Sequence, residues 1–113
     1  MKYCCVLSTV PSIKKARMLA GLLISRKLAA CVQIFPGLES HYRWRGKKET
    51  SEEILLLIKT KVSVYKKLEK VLLKNHPYEV PEIICLPITQ GSKSYLDWLA
   101  REVCGGKKLN LGR

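Results

Sequence analysis

The chain has 113 residues, 47% of them hydrophobic, with 21 Lys and Arg against 9 Asp and Glu and a formal net charge of +12 at pH 7. That length makes one domain, the hydrophobic share excludes a disordered chain, and no apolar run approaches the roughly 20 residues that cross a bilayer. The charge predicts solubility and non-specific, salt-sensitive association with polyanions. It recurs in separate segments (14–17, 43–48, 59–61, 66–67 and 107–113), which reads as solvated faces rather than a dedicated nucleic-acid surface.

Lys2 to Thr9 is a strand-length run rich in cysteine and β-branched residues. It superficially resembles a short signal segment. It lacks a small-x-small cleavage pattern, however, and runs straight into Ser8-Thr9-Val10-Pro11, so a strand and a turn are the better reading and a cytoplasmic location is expected. The cysteines (Cys4, Cys5, Cys31, Cys85 and Cys104) are odd in number, form no C-x-x-C pair and sit mostly in apolar runs. They read as reduced, buried thiols packing as small hydrophobes.

Pro11-Ser12 offers a break and an N-cap, and Ile13, Ala16, Ala20, Leu23 and Ile24 repeat at helical spacing. Met18, Leu19 and Leu22 widen that stripe, predicting a helix buried at up to two surfaces and ending near Arg26-Lys27. Leu28 to Phe35 is a second apolar run, and Pro36-Gly37 predicts a kink or bulge in it. Strict alternation follows, with Leu38, Ser40, Tyr42 and Trp44 on one face and Glu39, His41, Arg43 and Arg45 on the other. Arg45-Gly46-Lys47 predicts a hairpin turn. The return strand rises through a polar stretch, 48–53, into Ile54 to Thr60, apolar enough to be buried on both faces. The outer part of so long a hairpin is too polar to pack on its own domain.

Lys61 to Asn75 reads as a second helix, with Val64, Leu68, Val71 and Leu72 inward and lysines outward. Next come Asn75-His76-Pro77-Tyr78-Glu79-Val80-Pro81-Glu82, where two prolines bracket a Tyr-Glu-Val insert. Proline biases the residue before it away from the helical region and cannot donate to a ladder, so this is a stiff bridge from a helix into a strand over 82–87. Gly91-Ser92 opens a last helix, for which Ser94 with Asp97 is the expected capping pair and Tyr95, Leu96, Leu99 and Val103 the apolar side. Gly105-Gly106 ends it, leaving residues 1–104 as the domain and 105–113 as a basic tail expected to be disordered. The order is α+β, the βαββαβ pattern of a ferredoxin-like antiparallel sheet with an appended C-terminal helix. Its strands look apolar on both sides, and one terminal helix is too little to cover the second face, so a partner subunit is implied.

Four groups of residues carry a family resemblance: Val6-Leu7-Ser8-Thr9-Val10-Pro11; Leu28-Ala29-Ala30-Cys31-Val32 with Phe35-Pro36-Gly37; Tyr42-Arg43-Trp44-Arg45-Gly46-Lys47 leading to Leu57-Ile58-Lys59-Thr60; and His76 to Ile83 running on to Leu86-Pro87-Ile88, Gly91 and Tyr95-Leu96-Asp97-Trp98. Over about residues 3–102 the sequence strongly resembles the CutA divalent-cation tolerance proteins. The resemblance implies a homotrimer whose long hairpins pair with neighbouring subunits, as in the trimeric PII signalling proteins. It also implies a role in tolerance to copper and other divalent cations without catalytic activity, in a binding or signalling scaffold with a possible protein partner still to be identified.

Some members of that family carry Cys at the position of Ser8 and His at the position of Asn75, beside the histidine that is His76 here. In this chain only His76 of that set is present, with Glu79 and Glu82 close by, so a weakly bound divalent cation (copper or zinc) on His76, Glu79 and Glu82 is the metal expectation. His41, on a basic hairpin face, reads as a solvated histidine. Tyr42, Trp44, Lys59 and Tyr78, together with Glu79 and Glu82, are candidates to line a cleft between subunits. The alternative is that the aromatic rings only bury area at an interface.

Two other classes are weighed. A basic RNA- or nucleic-acid-binding ferredoxin-like module fits the strand order and the charge, yet no strand carries the alternating aromatic signature of RNA-recognition motifs. A small hydrolase would need His76 with Glu79 or Glu82 as its acid–base pair, and no nucleophile motif or phosphate-cradling loop accompanies them.

Overall fold

Two strands of unequal reach to their neighbours shape the molecule. The computed structural model describes residues 2–103. Within them the order is β1 (Tyr3–Val10), α1 (Ile13–Ser25), β2 (Cys31–Trp44), β3 (Lys47–Lys61), a single 3-10 turn (Val62–Val64), α2 (Tyr65–Asn75), β4 (Ile83–Ile88) and α3 (Lys93–Glu102). The four strands form one antiparallel sheet in the order β2-β3-β1-β4, the ferredoxin-like arrangement expected. The expected boundary at 104 and tail over 105–113 lie outside the described residues.

β2 and β3, of 14 and 15 residues, outgrow the rest of the sheet. At roughly 3.3 Å per residue such strands run close to 50 Å, and the molecule measures 53 × 27 × 21 Å. Its radius of gyration is 15.0 Å, against about 13 Å for a compact chain of this size. The hairpin is a projecting arm. Its turn has two central residues, Arg45 (φ 52°) and Gly46 (φ 81°), the doubly positive geometry that matches strand twist. A register shift between Phe35 and Leu38, with Gly37 at φ 86°, bulges β2 where the proline interrupts its donors.

The alternation of β3 decides what is covered. Leu56, Ile58 and Thr60 are fully buried beneath the helices, whereas Leu55, Leu57 and Lys59 on the other face are only half-buried. The core is Cys4, Val6 and Val10 of β1 with Leu56 and Ile58 of β3, closed by Ala16, Leu19 and Leu23 of α1 and Leu68 and Leu72 of α2. The expected burial of this strand on both faces therefore does not hold within one chain. α1 is likewise buried on one surface, with Met18 and Ile24 exposed. α3 packs at the end of the sheet, where Leu99 and Val103 meet Val64, Tyr3 and Ala30.

The α3 cap also differs from expectation. Ser92 is the N-cap and its hydroxyl accepts from the Tyr95 N–H, while Asp97 is held by Lys93 at 2.7 Å one turn back. Ser94 lies inside the first turn. Ser92 wins because it alone precedes the first helical residue in an extended conformation, which is what a capping side chain requires. Of the cysteines expected to be buried, only Cys4 is; Cys5 and Cys31 are half-buried and Cys85 is exposed on the edge strand β4, all four as free thiols, and Cys104 lies outside the described residues. Burial and the neighbouring Cys85 push the Cys4 thiol up to about 12, so it is inert at neutral pH.

Candidate functional site

β1 ends at Val10, opposite Ile54, so beyond Ile54 the outer hairpin has no neighbour on that side. The chain between α2 and β4 enters this notch. A cleft of about 590 Å³ results, lined by Ser40, His41, Tyr42, Trp44 and Glu53 of the hairpin, Thr9 of β1, and Pro77, Tyr78, Glu79, Val80 and Glu82 of the bridge. Its volume is within the range of small-molecule sites. Two contacts fasten the bridge to the arm. The Tyr78 hydroxyl donates to Glu53 Oε2 at 2.7 Å, and Arg45 Nη2 donates to Glu79 Oε1 at 2.9 Å. The hairpin, expected to be too polar to pack on its own domain, thus does so through these charged and phenolic groups. Burial and the Glu53 carboxylate raise the Tyr78 hydroxyl above its ordinary pKa, so it remains a donor.

His76 anchors the bridge. It is the extended residue that closes α2, as the following proline requires. Because a carbonyl only accepts, Nε2 donates to the Thr9 oxygen at 2.9 Å, and Nδ1 accepts from the Tyr78 N–H at 3.1 Å. Both ring nitrogens are committed in the neutral tautomer. Burial lowers the pKa of His76, against opposing pulls from the Thr9 carbonyl and Glu53.

The sequence-level candidates divide accordingly. Tyr42, Trp44, Tyr78, Glu79 and Glu82 come together in the cleft, and His76 and Lys59 do not line it. Lys59 lies well along β3, on the face away from the helices, and donates to Gln33 Oε1. His41, expected as a solvated histidine, has a side chain 67% exposed at the edge of the cleft, held by Glu39 at 2.6 Å and by Thr50 at 3.2 Å. The residue that sequence reasoning missed is Glu53, buried to 9% exposure at the cleft floor. Its strand parity with Leu55 and Leu57 was the available signal.

A Cys-His-His-type metal set does not fit here. Ser8 Oγ is buried without a hydrogen-bond partner among the described residues, the Asn75 amide donates to the Val71 carbonyl at 2.8 Å, and His76 has no free lone pair. Among the described residues no three His, Cys, Asp or Glu side chains converge as a metal would need. The carboxylates of Glu79 and Glu82 at the cleft remain as oxygen donors, which suit harder cations.

Residues 4–102 match the sequence profile of the family described as CutA1 divalent ion tolerance protein. The chain belongs to the CutA1 family. It is 51% identical over 94 residues to the divalent-cation tolerance protein CutA of Thermus thermophilus, covering 83% of this chain and 91% of that one. It is 52% identical over 91 residues to a chloroplastic CutA 1 protein of Oryza sativa, covering 80% of this chain. The chain spans about half the length of the two plant chloroplastic relatives it matches. Among solved structures, CutA1 of Oryza sativa superposes with a TM-score of 0.88 at 47% identity, covering 91% of this chain and 94% of that one. The Thermus thermophilus protein gives 0.87 at 48%, covering 89% and 98%. CutA1 membership accounts for the pattern of hairpin, bridge and appended helix, all of which fall within the matched residues. No helix among the described residues is long and apolar enough to cross a membrane.

Proposed function

We propose that this CutA1-family chain is a cytoplasmic, non-enzymatic, homotrimeric binding or signalling scaffold in the response to divalent cations, with the hairpin–bridge cleft as its ligand site. The observation that carries this reading is the cleft itself: an aromatic and carboxylate lining at the root of a projecting arm, beside a sheet face that one chain leaves apolar and uncovered. Trimer assembly would cover that face and set the arms against neighbouring subunits. A divalent cation is taken weakly by Glu79 and Glu82, with waters or a neighbour completing the shell, and His76 holds the bridge that carries them. For His76 to join as a ligand it must first release Thr9 or Tyr78.

Calorimetric titration of copper(II), zinc(II) and manganese(II) tests this, using wild type, His76→Ala and the double variant Glu79→Gln/Glu82→Gln. Weak binding that the double variant abolishes supports the carboxylate site. Loss only in His76→Ala, with the bridge intact, would shift the site to the imidazole. No binding of any ion by wild type would remove the metal role.

A further inference from the structure

We propose that the cleft takes an organic cation, an alkyl- or quaternary ammonium or a guanidinium, held against its aromatic walls and paired with Glu53. This rests on the cleft being the ligand site and names the class of ligand. The charge contrast comes first. In a chain of 21 Lys and Arg and 9 Asp and Glu, three of the acids, Glu53, Glu79 and Glu82, line one cleft with His41. Among the described residues no Lys or Arg lines it, and only Glu79 is paired, with Arg45 at the rim. Such a pocket is a local minimum of potential on a basic surface, and it concentrates cations.

The second observation is Glu53. It is more than nine-tenths buried and borders the cavity. Among the described residues its only hydrogen bond is from the neutral Tyr78 hydroxyl, and no cation of theirs pairs with it. A buried carboxylate with one bond and no counter-charge leaves acceptor capacity directed at whatever enters. A third observation shows the chemistry already at work on the rim. The Arg45 guanidinium lies 5.2 Å from the centroid of the Trp44 ring and pairs with Glu79. A cation over an aromatic face, closed by a carboxylate, is thus what this site holds when the chain supplies the cation. The inner part, with Tyr42, Tyr78 and Glu53, offers the same elements, and no Lys or Arg among the described residues lines it. A hydrated metal ion would use the carboxylates alone, whereas an alkylated ammonium also uses the rings.

Two sources could provide such a cation: a free small molecule, or a Lys or Arg side chain of a second copy. Choline is the probe, with 3,3-dimethylbutan-1-ol as its uncharged isostere. In Trp98→Phe, which leaves Trp44 as the sole tryptophan, fluorescence titration of the full chain reads the cleft directly. Choline should give a saturable change, and the alcohol should bind at least about ten-fold more weakly. Glu53→Gln, which can still accept from Tyr78, should erase that difference. Arg45→Asn, which keeps a residue tolerant of positive φ in the turn, should tighten choline by freeing Trp44 and Glu79. Equal responses to choline and the alcohol would overturn the proposal. So would silence toward choline in both Trp98→Phe and Trp98→Phe/Arg45→Asn at protein concentrations where light scattering finds a single chain. If manganese(II) perturbs Trp44 while choline does not, the cleft stands as a cation site and the organic class falls. If neither does, both readings fall.

Discussion

At the scale of single residues, His76 changes most between sequence and structure. Beside two carboxylates, and read through the family resemblance, it looked like a ligand. In the fold it is a two-ended strut, donating to β1 and accepting from its own bridge. The choice between those roles depends on a carbonyl 67 positions away in sequence, which no local pattern announces. Its titration has a definite sign. The unfolded chain takes up the proton near the ordinary value of 6.5, while burial holds the folded pKa lower. Between the two the unfolded state binds more protons, so stability falls with falling pH. The contribution is fully present above about 6.5 and is lost as pH drops toward the depressed folded value. The thermal midpoint of wild type should therefore fall between pH 7.5 and pH 5.5 by more than that of His76→Gln, whose amide can still donate to Thr9. Equal slopes would show that His76 does not carry this dependence.

At the scale of elements, strands and helices were legible because their periodicities are strong: 3.6 in α1 and α2, and two in the outer hairpin. What escaped was which of two nearby serines occupies a special position. Ser94 is the expected cap, yet backbone geometry gives the position to Ser92, at φ −65°, ψ 143°. Ser92→Ala should lower stability by about 1 kcal/mol and Ser94→Ala by far less. The hairpin turn gives a companion test. A Cβ added at Gly46 meets nothing within 4 Å, so any cost of Gly46→Ala is conformational, from φ 81° alone, and should be about 1 kcal/mol. Urea midpoints of the three variants check both statements, and a larger loss in Ser94→Ala than in Ser92→Ala would reverse the assignment. The cleft was half legible for a related reason. Tyr42, Trp44 and Tyr78 stood out as aromatics in polar company. Glu53 looked like one more charge in a solvated stretch until the notch left by β1 enclosed it.

At the scale of the whole molecule the decisive surface is the sheet face away from α1 and α2. Leu7 is opposed by Leu57 on one side and Ile84 on the other, with Leu55 and Phe35 continuing the patch. Phe35, Ile84 and Leu86 are 63%, 44% and 46% exposed in the single chain. A contiguous apolar patch on a sheet is costly to leave in water and marks an interaction surface, and the proposed trimer would cover it. Because the alternation of β3 puts the two faces in register, a charge can be placed on this patch without touching the core beneath the helices. Ile84→Glu does so. If the face is an interface, light scattering should move from three times the 12.9 kDa chain toward one, because an unpaired buried carboxylate is several kcal/mol unfavourable. The melting temperature should fall with it, since assembly contributes to the stability of each subunit. Lys67→Glu, on the exposed side of α2, alters net charge by more and should leave mass and melting temperature nearly unchanged. A wild-type mass of one chain, or an Ile84→Glu variant that stays assembled and as stable as Lys67→Glu, would mean that this face is not where the subunits meet.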